Sequence, residues 1–308
     1  MIKYIHTIFV LLFISCNNYQ NLYNISSPDN KIKLEFSIKN GVPLYKIVKN
    51  NNLIIDYSKL GIVLDGNGNL DRNFKIINTN IKSHNSTWNT IFGEEKEIIN
   101  NYNELSVELD QNNKKLKIIF RVFNDGVGFR YEIENQESIN NYNILDEKTE
   151  FKLSKKDTAW WIPAFSYRRY EFLYAKTAID DISKNTYSKM VEDIRYDSIG
   201  IDAAHTPLTI KKKNGILISI HEANLNDYSS MTLAPRGKGL IEAELYPWSD
   251  GTKVKLNSNI SSPWRTIQIA ENSSDLLLSN MILNLNDDPD IEKDFSWVKP
   301  GKYMGVWW

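Results

Sequence analysis

Two kinds of side chain in this sequence have chemistry to offer: carboxylates set close together, and aromatic rings set beside cations. Glu94, Glu95 and Glu97 form one acidic cluster. Two carboxyl groups flanking a bond can divide its hydrolysis between them, one donating a proton and the other activating water or attacking. Lys96 sits inside the cluster, and a charged surface or an interdomain contact accounts for it more simply. His221 and Glu222 place an imidazole beside a carboxylate, directly after the apolar run Ile216 to Ile220. Neighbours on a strand point to opposite faces, so the two cannot act on one atom unless the strand ends or bulges there. One then faces a sandwich interior and the other an interface or a pocket. Trp160, Trp161, Trp264 and Arg265 suit the wall of a sugar cleft, since aromatic planes lie well against the apolar faces of pyranose rings. For most of them core packing and cation–π pairing are the simpler account.

The elements that must position these residues are strands. In Lys31 to Lys39 the even positions Ile32, Leu34, Phe36 and Ile38 are apolar and the odd positions polar, a period of two with one face buried. Lys114 to Phe123 repeats the alternation with Leu116, Ile118, Phe120 and Val122. Asp125-Gly126 then breaks it before Phe129, Tyr131 and Ile133 resume, which reads as a hairpin. Asn214-Gly215 is a second hairpin turn, and Leu240 to Leu245 and Thr266 to Ala270 are further strands. Leu276 to Leu285 fits strand or helix, and Thr177 to Val191 a short helix or a long loop. Many strands at short spacing with few helices predict an all-β fold, a large antiparallel sandwich.

Composition narrows the partners. The 308 residues carry 37 basic and 38 acidic side chains, a net charge of -1. Nucleic-acid binding normally needs a basic surplus on one face, so no nucleic-acid partner is expected. Eight Trp and sixteen Tyr are many for this length and agree with handling of sugars, or with the taste of sandwiches for aromatics.

The ends read as processing and continuation. Lys3 precedes the apolar run Ile8 to Ile14, too short to span a bilayer as a helix, and Ser15 leads into Cys16, the one cysteine. Residues 1–16 resemble a bacterial lipoprotein signal with Cys16 as the lipidated residue; ordinary signal cleavage and an uncleaved anchor are the alternatives. All three predict export, and the lipoprotein reading predicts a periplasmic or outer-membrane protein held by its lipid. Residues 17–26 read as a polar linker that runs on into the turn Ser27-Pro28-Asp29-Asn30. Residues 27–297 are assigned to the sandwich. At the other end Pro300-Gly301 opens a new element. Lys302 to Trp308 reads as a strand buried on both faces, with a further domain expected beyond it.

Several stretches together resemble the N-terminal domain of glycoside hydrolase family 97. They are Phe92 to Ile98 (FGEEKEI), Asn101 to Leu105 (NYNEL), Phe120 to Tyr131 (FRVFNDGVGFRY) and Ala159 to Pro163 (AWWIP). His221-Glu222-Ala223, Asp227-Tyr228-Ser229, Pro263 to Thr266 (PWRT) and Leu283 to Asn286 (LNLN) follow in order. The closing Lys299 to Trp308 (KPGKYMGVWW) matches the start of that family's catalytic barrel. The resemblance implies a β-super-sandwich similar to galactose mutarotase, with residues 298–308 as the first strand of a (β/α)8 barrel. It implies an exo-acting α-glucosidase or α-galactosidase, α-linked oligosaccharides as substrate, and catalytic carboxylates on the barrel, so no catalytic residue is assigned here.

The resemblance also implies calcium at the active site, with one ligand sent from the sandwich. That Glu follows a Trp-Ile-Pro stretch and stands before an aromatic residue and a Tyr. Trp161-Ile162-Pro163 and Glu171-Phe172-Leu173-Tyr174 fit, with one extra residue between them. Glu171 is therefore the metal candidate; a surface Glu paired with Arg168 or Arg169 is the plainer alternative. A mutarotase-like use of His221 and Glu222 as acid and base has no motif behind it. Two rival readings remain: a stand-alone glycan-binding lipoprotein, and a purely structural product of a broken gene.

Overall fold

The structure is a computed structural model. It describes residues 19–90, 93–166, 171–191, 200–288, 294, 296–299, 301–302 and 304–306. Cys16 and the whole leader, Phe92, Arg168, Arg169, Trp307 and Trp308 lie outside the described residues.

Two antiparallel sheets face each other. One has eight strands in the order Tyr19–Ser26, Ile32–Lys39, Val42–Lys49, Asn52–Lys59, Glu150–Lys152, Leu240–Leu245, Met231–Gly237 and Ala204–His205. The other runs Ala175–Ala178, Thr158–Trp161, Leu208–Lys211, Leu217–Ala223, Trp264–Ala270, Gly126–Ile133, Lys114–Phe123, Glu97–Gln111 and Lys75–Asn89, with Ile260–Ser261 paired to Gly126–Ile133. A small third sheet joins Ile144–Glu147, Ile62–Leu64 and Gly68–Leu70.

Alternation explains why these segments pair as they do. Ile32, Leu34, Phe36 and Ile38 are all buried, as are Leu116, Ile118, Phe120 and Val122. Each set lines the inner face of its sheet, and aromatic contacts tie the layers together. Phe36 meets Phe120 at 5.6 Å between ring centroids, and Tyr45 meets Phe129 at 5.1 Å. Such pairs add about 0.5–1.5 kcal/mol beyond their buried area. The expected hairpin is present, with Phe123 paired to Gly126 and Lys117 to Glu132.

Glycine permits one further layer. A Cβ on Gly126 would collide with the Ile267 carbonyl and the Met281 sulfur, and one on Gly128 with Leu285. The helix Met281–Leu285 thereby lies directly on the outer face of the ten-stranded sheet. There it closes over Tyr102, Ile119, Phe123 and Trp264.

One expectation changes and two open alternatives are resolved. Residues 17–26 are not simply a linker: Tyr19–Ser26 pairs along Ile32–Lys39. Their turn chemistry belongs to a hairpin, in which Ser27 Oγ donates to Asp29 and accepts the Ile32 N–H. Leu276 to Leu285 is neither one strand nor one helix but two short helices, Ser273–Leu277 and Met281–Leu285. Thr177 to Val191 holds the end of the strand Ala175–Ala178, a 3-10 turn Ile179–Asp181 and the helix Lys184–Met190. The helix is capped by Ser183, whose side chain accepts the Thr186 N–H. Of Lys302 to Trp308 only residues 302 and 304–306 are described, and Met304 and Val306 are exposed.

Candidate functional site

The stretch that follows Thr158–Trp161 holds a strained backbone position. The strand Thr158–Trp161 ends at Ile162, whose carbonyl accepts the His205 N–H, and the Ala164 N–H then donates to Ala203. Phe165 follows with φ 58°, the left-handed region that a bulky side chain avoids at a cost of about 1–3 kcal/mol. Packing holds it there. Its ring is buried 4.5 Å from that of Tyr246, and its N–H donates to the Tyr246 hydroxyl at 3.0 Å. His205 stacks on the far side of this group, 6.2 Å from Tyr246, and burial lowers its pKa toward the neutral form. The Ser166 hydroxyl is buried with no partner among the described residues.

Glu171 lies six residues beyond Phe165 in the chain. It begins the irregular stretch before Ala175–Ala178, the edge strand of the ten-stranded sheet. Its backbone is fixed by its neighbours. Phe172 meets Tyr187 edge-on at 5.9 Å, and the Tyr187 hydroxyl donates to the Leu173 carbonyl at 2.7 Å. The carboxylate itself is exposed. An anchored backbone that presents a free carboxylate is suited to reaching outward. Calcium takes about six to eight oxygen ligands. Among the described residues no group of three or more metal-ligating side chains is assembled.

The other candidates belong to the framework. His221 and Glu222 do point to opposite faces of Leu217–Ala223. Glu222 turns inward, where Arg265, wholly buried, bridges it to Glu147. Arg265 donates to Glu147 through Nε at 2.8 Å and Nη2 at 2.6 Å, and to Glu222 through Nη1 at 2.6 Å. The Tyr228 hydroxyl and Thr149 Oγ1 also donate to Glu147, and the Met231 N–H to Glu222. Burial raises the pKa of Glu222, partly offset by the Arg265 charge. Burial also raises Tyr228, and the nearby Glu147 charge adds to it. Glu222 and Arg265 thus brace the sandwich rather than face a ligand.

Trp264 is likewise buried on the outer face, clamped between the guanidinium groups of Arg121 at 4.6 Å and Arg130 at 4.7 Å. Arg121 in turn donates to Glu104, which Lys82 also reaches. Burial pushes the Glu104 pKa up, but these two cations outweigh it and bring it below the usual carboxylate range. Trp264 is therefore not a cleft wall. Trp161 is buried with its indole N–H on Thr177, and Trp160 carries Lys176 over its ring at 5.1 Å. His221 is half-buried on the outer face, its Nδ1 without a partner among the described residues and its pKa lowered by burial. Glu94, Glu95 and Glu97 are exposed, and Glu95 accepts from Asn280.

Sequence reasoning missed Glu147, Tyr228, Phe165 and Tyr246. Asp227-Tyr228-Ser229 was legible as a motif without a role. Glu147 lies 118 residues from Arg265, so no local spacing announces their contact.

Comparison with known proteins agrees with this architecture. Residues 25–288 match the family described as Glycosyl-hydrolase 97 N-terminal. The retaining alpha-galactosidase of Bacteroides thetaiotaomicron is 23% identical over 327 residues, covering 97% of this chain and 46% of that protein. A glycoside hydrolase family 97 enzyme from Pseudoalteromonas sp., solved with panose and with acarbose, superposes with a TM-score of 0.81 at 38% identity. That match covers 91% of this chain and 40% of the enzyme. A beta-arabinopyranosidase shares the fold, with a TM-score of 0.69 at 20% identity. The chain spans less than half the length of these relatives. By its match over 25–288 and by its sandwich, the chain belongs to glycoside hydrolase family 97, as the N-terminal domain of that family.

Proposed function

We propose that this chain is the substrate-covering and barrel-bracing domain of an exported exo-acting α-glycosidase, an α-glucosidase or α-galactosidase, that degrades α-linked oligosaccharides. The hydrolytic carboxylates belong to a (β/α)8 catalytic domain, in the same or a separate chain. The family match carries the reading. The use of this domain's own carboxylates supports it: the buried pair Glu147 and Glu222 serves Arg265, and Glu242 and Glu244 meet on Arg236. Glu171 is the contribution to the active site. Exposed on an anchored backbone, it lends one oxygen to a calcium ion whose other ligands come from the catalytic domain and water. Bound calcium would supply positive charge at the active site.

The test is a calcium titration of hydrolysis after chelation, in the enzyme that contains this domain, with wild type and Glu171→Gln. The amide keeps the size and loses the charge, so the variant should need at least tenfold more calcium and reach a lower plateau. Superimposable curves would remove Glu171 from the metal.

Export and anchoring rest on residues 1–16. Lipid on Cys16 holds the protein at the periplasmic or outer-membrane surface, where a single acyl chain would bind only marginally and several would be needed. Labelled fatty acid should enter the wild-type protein in a bacterial host and not Cys16→Ser. Unlabelled protein recovered wholly in the soluble periplasm would contradict the anchor.

A further inference from the structure

Trp248 has no place in the framework. It follows the strand Leu240–Leu245 through Tyr246 and Pro247 and stands at the head of a tight turn. The turn is rigid. The Trp248 N–H donates to the Thr252 carbonyl at 2.8 Å, the Gly251 N–H to the Trp248 carbonyl at 2.9 Å, and the Thr252 N–H to Asp250 at 3.0 Å. Ser229 Oγ fixes the approach by donating to the Tyr246 carbonyl at 2.7 Å. Yet the indole is 60% exposed. Lys255 covers one face, its ammonium 5.3 Å from the ring centroid, and is held there by Asp250 at 2.5 Å. Among the described residues no aromatic ring or hydrogen-bond partner meets the other face or the indole N–H.

Scattered exposed apolar side chains need no explanation. An exposed indole on a hydrogen-bonded turn, with a cation over one face, is different. It offers a flat apolar surface that loses little conformational entropy on binding. Its rim carries a donor in the indole N–H, and the Lys255–Asp250 pair lies over the opposite face. Such a mixture suits a ring with one face of C–H bonds and hydroxyls around its edge.

We propose that Trp248 is a stacking platform for a pyranose unit, with its indole N–H donating to a hydroxyl at the edge of the sugar. The proposal rests on the carbohydrate reading above and adds a contact made by this domain itself. The measurement is tryptophan emission, with saturation-transfer NMR, of the chain titrated with maltotriose and separately with raffinose. These probes present α-glucosyl and α-galactosyl units. Saturable binding on the order of millimolar is expected, as for one stacked ring. Trp248→Ala should weaken it at least tenfold, and Trp248→Phe should recover part of the loss. The side chain is exposed, so the urea midpoint of Trp248→Ala should equal that of wild type, separating lost contact from lost fold.

Stronger binding of either probe names the pyranose favoured. Wild type that leaves both sugars unperturbed, or a Trp248→Ala variant that binds as well as wild type, overturns the platform. So does an indole shielded from acrylamide quenching in the enzyme containing this domain, since a partner surface would then occupy it. Hydrolysis by that enzyme is unaffected by any of these failures, so the platform can fall while the glycosidase reading stands.

Discussion

Arg265→Ala is expected to lower the unfolding free energy by about 3–5 kcal/mol, the cost of removing one partner from a buried ion pair. The reason lies in what remains. Glu147 and Glu222 would stay inside the sandwich with the cation gone and three of their charge-assisted hydrogen bonds lost. Tyr228, Thr149 and the Met231 N–H would still donate, but none carries charge. Neither carboxylate reaches water cheaply, since Glu147 is 1% and Glu222 8% exposed. Urea denaturation followed by tryptophan emission measures the effect as a fall in midpoint at constant slope.

The same physics makes a second variant informative. Replacing Arg265, Glu147 and Glu222 together by apolar residues of similar volume should recover much of the lost stability, because the desolvation cost of the ions disappears with them. A single Arg265→Ala loss below about 1 kcal/mol would show that the cluster is hydrated and not the brace described.

The sandwich was legible where burial on one face imposes a period of two. Lys31 to Lys39 and Lys114 to Phe123 announce themselves because each second residue faces the opposite sheet. The strand Lys75–Asn89 was not legible. It is the edge of the ten-stranded sheet and is exposed along nearly all its length, so nothing forces its side chains to alternate. The two short helices after Asn272 were ambiguous for a related reason, since five residues are too few to display a helical period. Glu171 was reached through resemblance alone, and the structure adds the Phe172 and Leu173 contacts that hold its backbone. Trp264 and Arg265 were legible as special residues, but their partners come from Arg121, Arg130 and Glu147, far along the chain. Long-range ionic contacts leave no trace in spacing.

The largest effect expected concerns the reaction itself. Hydrolysis of an α-glycoside calls for two carboxyl groups set about 5–10 Å apart and open to substrate. Among the described residues Glu147 and Glu222 are closed over Arg265, Glu171 is one exposed carboxylate, and Glu94, Glu95 and Glu97 stand exposed around Lys96. Enzymatic acceleration commonly exceeds a millionfold, about 8 kcal/mol or more of barrier, and is assigned to the catalytic domain.

The direct measurement is turnover of nitrophenyl α-glucoside and nitrophenyl α-galactoside by residues 17–308 alone, beside the same domain joined to a family 97 catalytic barrel. The domain alone should not exceed a catalytically dead control, and the joined protein should hydrolyse one of the two substrates. Turnover by the domain alone that survives repurification would contradict the account and place a complete active site inside the sandwich.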